Sequence, residues 1–190
     1  KLFSRANSMQ ALIRELLALP TLDKNSIERV KVKWAEKNGG IPLGSDVLKD
    51  LAGLHGARAD ELRQALITKP TRTMSGVSTI AVMTKPAGCV GRCTYCPTST
   101  IAPKSYTGYE PSTMRAIRNN YDEYKIVQNR LAQLHAVGHN TDKNEVIVQG
   151  GTFTWMPWDY QYKFIKNIFD AFNQAGCCTR ENICEKHLAV

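Results

Sequence analysis

The sequence contains no apolar run long enough to cross a membrane and no signal-peptide pattern at its start. No internal repeat and no low-complexity segment interrupts it. The missing apolar run and the missing repeat argue against a membrane-spanning helix and a repeat array within these residues. Acidic residues are the minority charge: 17 Asp and Glu stand against 25 Lys and Arg, a formal net charge of +8. A basic balance of this size suits a polyanionic partner, although many basic proteins bind no nucleic acid. Cysteine is scarce and clustered. The six are Cys89, Cys93, Cys96, Cys177, Cys178 and Cys184. Their close local spacing argues against a secreted disulfide framework and for metal binding in a reducing, cytoplasmic setting. With 190 residues, 43 % of them hydrophobic, the chain can build one ordinary domain or two small ones. It begins at Lys1 rather than Met, which points to a piece of a longer product.

Residues 1–72 read as a small basic helical domain. Met9, Leu12, Ile13, Leu16 and Leu17 share one helical face. Asn25 or Ser26 is a candidate N-cap for a helix carrying Ile27, Val30 and Trp34. Gly39-Gly40-Ile41-Pro42 breaks the chain. Ser45 or Asp46 then caps a helix with Val47, Leu48, Leu51 and Leu54, and Leu62, Ala65 and Leu66 mark a last helix before Pro70.

Residues 73–190 change pattern and form the second expected domain. Val77 to Met83 is a β-branched, strand-like run, followed by a long loop from Thr84 to about Pro111. Helical spacing over Ser112 to Val137 (Met114, Ile117, Tyr121, Tyr124, Leu131, Leu134, Val137) predicts one helix stopped by Gly138. Val146-Ile147-Val148 is a second strand, ending at Gly150-Gly151. Pro157 opens a helix with Tyr160, Phe164, Ile165, Ile168, Phe169 and Phe172. The order β-loop-α-β-loop-α implies an α/β fold with a parallel sheet, of which two βα units cannot close a barrel.

The long loop carries the chemistry. Cys89, Cys93 and Cys96 stand in the spacing C-x3-C-x2-C just after the first strand, where parallel sheets place ligands. Three thiolates can hold three irons of a cubane cluster and leave the fourth iron open to a small molecule. Gly88 and Gly91 let the backbone bend around such a group, and Pro97 stiffens the chain after the third thiol. The competing reading is zinc, with a fourth ligand from His135, His139 or Cys177. Zinc sites more often use two C-x2-C pairs, and only one is present. Cys177, Cys178 and Cys184 read as incidental thiols rather than further ligands.

This motif after a first strand resembles the radical S-adenosylmethionine superfamily. The resemblance implies a 4Fe–4S cluster on Cys89, Cys93 and Cys96. Its open iron would be chelated by S-adenosylmethionine, which reduction cleaves to a 5′-deoxyadenosyl radical. Tyr95 falls at the family's aromatic position beside the last cysteine. Gly150-Gly151-Thr152 falls at the Gly-Gly-Glu turn that helps hold the cofactor's amino group, with Thr152 in place of the acid.

Longer runs narrow the match. They are Lys69-Pro70-Thr71-Arg72-Thr73-Met74-Ser75-Gly76-Val77, Ala81-Val82-Met83-Thr84-Lys85-Pro86, Lys104-Ser105-Tyr106-Thr107-Gly108-Tyr109-Glu110-Pro111 and Met114-Arg115-Ala116-Ile117-Arg118. Gly138-His139, Thr141-Asp142-Lys143 and Gly150-Gly151-Thr152-Phe153 complete the set. Over about residues 69–172 the chain closely resembles the N-terminal portion of the Elongator catalytic subunit and its archaeal and bacterial relatives.

The resemblance implies a basic tRNA-binding region, the first βα units of a radical S-adenosylmethionine partial TIM barrel, and a C-terminal GNAT domain, which is expected to be absent from this sequence because no acetyl-CoA motif of that kind is found in it. The family places a carboxymethyl group on C5 of the tRNA wobble uridine, U34, from acetyl-CoA. Lys143 matches a lysine assigned to acetyl-CoA, where it could hold a thioester oxygen or a phosphate as a point charge. Arg5, Arg14, Arg29, Lys31, Lys33 and Lys37 become candidates for a tRNA face, and Lys104, Tyr106, Arg115 and Arg118 for contacts with phosphate or a flipped base. Implied partners are tRNA and, in a eukaryote, other Elongator subunits, with no membrane. The resemblance assigns no catalytic side chain here. The family often has a longer first cysteine interval and Pro-Gly-Gly after the last cysteine. Here the interval is three and Pro97 is followed by Thr98-Ser99-Thr100. A tRNA-binding module without turnover and a radical enzyme acting on a small molecule stay open beside the tRNA-modifying reading.

Overall fold

The computed structural model describes the backbone of residues 2–177 and the side chains of residues 8–174. Two compact units form: Lys1–Gly76 with Gln133–Thr141, and Val77–Ala132 with the chain from Asp142.

The first unit holds α1 (Leu2–Leu17), α2 (Lys24–Asn38), α3 (Gly44–Leu51) and α4 (Ala57–Leu66). The apolar stripe of α1 (Met9, Leu12, Ile13, Leu16) buries against Ile27, Val30 and Trp34 of α2, Val47 and Leu51 of α3, and Leu62 and Leu66 of α4. Trp34 keeps its place in that core because its indole N–H donates to the Ser8 carbonyl at 2.9 Å.

The caps differ from the sequence expectation. Asp23, rather than Asn25 or Ser26, caps α2, and its Oδ1 accepts both of their N–H groups at 3.0 Å. Leu43 is the N-cap of α3, and Asp46 reaches back to accept the Leu43 N–H at 3.3 Å. Leu54 falls beyond α3 and is exposed, and Ala65 is exposed while Ala59 is buried. The turn at Gly138 adopts φ +86°, and a Cβ there would stand 3.1 Å from Ile67 Cγ1 and 3.2 Å from Leu48 Cδ1. Glycine meets both demands at once.

The second unit contains β1 (Ser78–Met83), α5 (Pro111–Arg118), most of α6 (Glu123–Ala136), β2 (Asn144–Gln149) and α7 (Trp158–Cys177). The two strands pair in parallel, with Ser78 opposite Asn144 and Met83 opposite Gln149. The architecture is therefore mixed α/β, and among the described residues its sheet has two strands. Ile80, Val82, Met83, Ala116, Ile126, Val127, Leu131, Phe164, Ile168 and Ala171 are its buried apolar residues.

The single helix expected over Ser112 to Val137 is two helices. Asn120 and Tyr121 adopt left-handed φ values of 52° and 55°, and the Tyr121 N–H closes α5 on the Ala116 carbonyl at 2.8 Å. Asp122 then starts α6 by accepting the Lys125 N–H at 3.0 Å. Asn tolerates the left-handed region and Asp favours caps, so Asn119-Asn120-Tyr121-Asp122 ends one helix and begins the next within an unbroken apolar spacing.

Glu110 ties the long loop to α5. Its carboxylate accepts the Thr107 N–H and hydroxyl at 2.8 Å each, the Thr113 hydroxyl at 2.9 Å and the Gly108 N–H at 3.1 Å. The Thr107 N–H first, then the hydroxyls of Thr107 and Thr113, hold its pKa near about 2, below the ordinary 4.5, against a smaller opposing effect of burial. The folded-state value lies below the unfolded one. The contribution is thus complete above about pH 4.5 and lost as pH falls toward 2. In melting curves taken from pH 6 down to pH 2, Glu110→Gln should lose less stability across that window than the parent. Parallel curves would refute the role of the carboxylate.

Candidate functional site

Parallel pairing delivers both strands to one edge. β1 runs into Thr84 and the cysteine loop, and β2 runs into Gly150-Gly151-Thr152. The Thr84 N–H donates to the Gln149 carbonyl at 2.9 Å. Gly150 has φ +153°, and a Cβ there would overlap Thr84 Oγ1. A Cβ on Gly151 would meet Lys104 Cβ at 3.3 Å and Cys89 Cβ at 3.6 Å. The glycine pair therefore allows the two loops to touch. Thr152 Oγ1 lies 3.3 Å from Cys89 Sγ. The structure thus brings together Cys89, Lys104, Gly150, Gly151 and Thr152, residues far apart in sequence.

The three thiols have distinct settings. Cys89 and Cys93 flank Gly91, and a Cβ on that glycine would be 3.8 Å and 3.6 Å from their sulfurs. The Cys96 N–H donates to the Cys93 carbonyl at 3.2 Å. Cys96 Sγ accepts the Ser105 N–H at 3.2 Å, from a residue with φ +77°. The Thr152 hydroxyl first, then the N–H groups of Gly91 and Thr152 and the charge of Lys104, lower the Cys89 thiol from 9.0 to about 7, outweighing a small effect of burial. Soft thiols, one poised near neutrality, and N–H groups aimed at sulfur suit an iron–sulfur group. Among the described residues no group of three or more Cys, His, Asp or Glu side chains converges as a metal site does. The loop supplies donors without a closed cage.

Of the histidines the zinc alternative needs, His139 is already engaged. His139 is buried and bonded at both ring nitrogens, to Thr73 Oγ1 at 2.8 Å and to the Thr68 carbonyl at 2.9 Å. His135 is held by the Thr141 hydroxyl. The side chains of Cys177, Cys178 and Cys184 lie outside the described residues.

The remaining candidates divide. Tyr95 is 88 % exposed, so its ring is free of protein packing. Lys104 donates to Thr98 Oγ1 at 2.9 Å, and half-buried Tyr106 closes a turn on the Pro103 carbonyl at 3.2 Å. Arg115 donates back to the Pro111 carbonyl at 3.1 Å, while Arg118 is exposed. Lys143 is exposed but precedes β2. Six strand residues at roughly 3.3 Å each place it about 20 Å from the glycine turn. The structure does not bring it to the thiols.

On α2, Arg29, Lys33 and Lys37 repeat every four residues and form one exposed stripe. Lys33 lies 3.9 Å from Glu15. Lys31 is not part of this face. It is 7 % exposed and paired with Glu28 at 2.8 Å, because two residues carry the helix about 200° around from Arg29. Arg14 is exposed near the end of α1, and the Arg5 side chain lies outside the described residues.

Sequence reasoning missed Lys85 and Tyr160. The Lys85 N–H donates to Tyr160 Oη at 3.1 Å, and its ammonium sits 4.7 Å from that ring, fixing the start of the loop to α7. An aromatic on the inner face of a predicted helix gave no signal of this partner. A cavity of about 10 Å³, with room for little more than a water, opens between Thr84, Gly88, Pro103, Gly151 and Thr152. A surface cleft of about 540 Å³ on the helical unit, beside Leu22, Ala57 and Glu61, carries none of the candidate residues.

No family model matches the chain. Curated relatives do. A tRNA uridine(34) acetyltransferase of Methanocaldococcus infernus is 39 % identical over 179 residues, covering 87 % of this chain and 32 % of that protein. The tRNA uridine(34) acetyltransferase of Dehalococcoides mccartyi is 50 % identical over 105 residues, 55 % of this chain. Elongator complex protein 3 of Homo sapiens is 37 % identical over 174 residues, covering 85 % of this chain and 32 % of that protein. The chain belongs to the Elongator complex protein 3 family. It spans about a third of the length of the curated relatives it matches. The family likeness takes in both compact units, since the match to the Methanocaldococcus jannaschii relative covers 93 % of the chain.

Within this Elongator complex protein 3 relative, Thr152 is the largest influence on Cys89. Thr152→Val in the metal-free protein should move the midpoint of Cys89 alkylation up from about 7 toward the ordinary 9.0. An unchanged midpoint would show that the hydroxyl does not set it.

Proposed function

We propose that this chain carries the cofactor-binding part of a tRNA wobble-uridine modifying enzyme. The observation that supports this reading best is the meeting of the thiol loop with the Gly150-Gly151-Thr152 turn at the C-terminal edge of a parallel sheet. Cys89, Cys93 and Cys96 would hold a 4Fe–4S cluster. That cluster, with S-adenosylmethionine, would supply one-electron cleavage chemistry at the partial-barrel edge.

The protein's own residues position and shield. The turn's lack of side chains leaves backbone N–H groups open to a small ligand. Thr152 and Lys104 favour the thiolate of Cys89. Tyr95, exposed beside Cys96, is free to cover a bound ligand. Lys143, at the far end of β2, suits a phosphate of acetyl-CoA rather than its thioester, since the thioester would have to reach the thiols about 20 Å away. The stripe of Arg29, Lys33 and Lys37, with Arg14 and Arg118, would meet tRNA phosphates in the cytoplasm.

A second reading, a tRNA-binding module without turnover, draws on the exposed stripe of Arg29, Lys33 and Lys37, which needs no cofactor to meet phosphate. Anaerobic reconstitution with iron and sulfide, then S-adenosylmethionine under reducing conditions, separates the two. The enzyme reading expects 5′-deoxyadenosine, abolished by Cys93→Ala. Lys143→Ala should keep that product and weaken acetyl-CoA binding. A reconstituted protein that forms no 5′-deoxyadenosine would support the module instead.

Neutralising Arg29, Lys33 and Lys37 together should weaken tRNA binding and reduce the slope of log affinity against log salt by about 3. A slope equal to that of the parent would remove α2 from the interface.

A further inference from the structure

Gln149 is the last residue of β2, and its carbonyl accepts the Thr84 N–H at 2.9 Å. Side chains alternate along a strand and registered partners in a parallel pair share a face. Gln149 therefore shares a face with Met83, its partner, and with Ile147 and Ala81. Met83 is fully buried, while Thr79 and Glu145 at the other end of that face are exposed. Ile147 on the same face is exposed and Gln149 as a whole is half-buried, so the Gln149 amide lies beside buried Met83, one residue before the glycine turn. Its Oε1 is buried and has no hydrogen-bond partner among the described residues.

Buried side-chain acceptors are nearly always paired, because an unpaired one forfeits its hydration. An acceptor orphaned at the carboxyl end of a parallel strand lies where such sheets bind ligands. We propose that Gln149 is a ligand-binding residue of the strand-end site. Its side-chain carbonyl accepts a hydrogen bond from an ammonium or N–H group of the small molecule bound beside the cysteine loop. This rests on the functional reading above, in which that molecule is S-adenosylmethionine. It adds a residue that neither the thiol motif nor the glycine turn contains.

The orphan makes opposite demands on the free and bound states. Without ligand, the buried carbonyl is a cost that an apolar side chain of similar size removes. With ligand, it is a bond that the apolar side chain cannot make. The test uses the iron-loaded chain with Gln149→Leu, and Gln149→Met as the unbranched second variant. Melting temperature is read without ligand, and S-adenosylmethionine affinity by equilibrium dialysis. Both variants should melt at or above the parent and keep its iron content, while binding S-adenosylmethionine about tenfold more weakly. A mere packing role would not raise stability and lower affinity together. Variants that bind as the parent does, or that both melt below it, overturn the inference alone. A parent chain that binds no S-adenosylmethionine overturns the functional reading and this inference together.

Discussion

The parallel register of β1 and β2 is the constraint on which the site depends. Because Met83 stands opposite Gln149, the chain leaves both strands at the same edge and at the same level. That is why a glycine turn more than fifty residues from the cysteines comes to lie against them. An antiparallel pair would send the two loops to opposite ends of the sheet. Gly150 and Gly151 follow from the same constraint. The loops approach so closely that a Cβ on either glycine meets Thr84, Lys104 or Cys89.

Around that edge the second unit is built to hold its loop rather than to enclose a large volume. Glu110 gathers four donors and anchors the end of the loop to α5. Lys85 and Tyr160 anchor its start to α7. Between these two ties the thiols stay partly open to solvent, with Cys93 exposed and Cys89 and Cys96 half-covered. Such openness suits a group delivered from outside the chain. The helical unit is organised on another principle, one apolar core shared by four helices with its basic stripe on the outer face of α2.

Much of this was legible in the sequence. The apolar stripe of α1, the two strands, the loop between them and the thiol spacing are local patterns, and local patterns survive without knowledge of the fold. The misreadings also have physical causes. Helical spacing ran unbroken through Asn119–Asp122, yet side-chain caps and a left-handed turn split the helix there. Lys31 looked like one more surface cation, but helix phase turned it inward to Glu28.

The sequence by itself determined which donors this protein has: three thiols within eight residues, a glycine pair after a strand, and cations at helical spacing. Covalent order is enough for that, because residues a few positions apart cannot separate far. Only the tertiary structure decided which distant groups share a site. Thr152 on Cys89, the Ser105 N–H on Cys96 and the orphaned side-chain carbonyl of Gln149 all depend on strand register and loop closure. Contacts between segments separated by tens of residues are set by packing, and no local pattern encodes them.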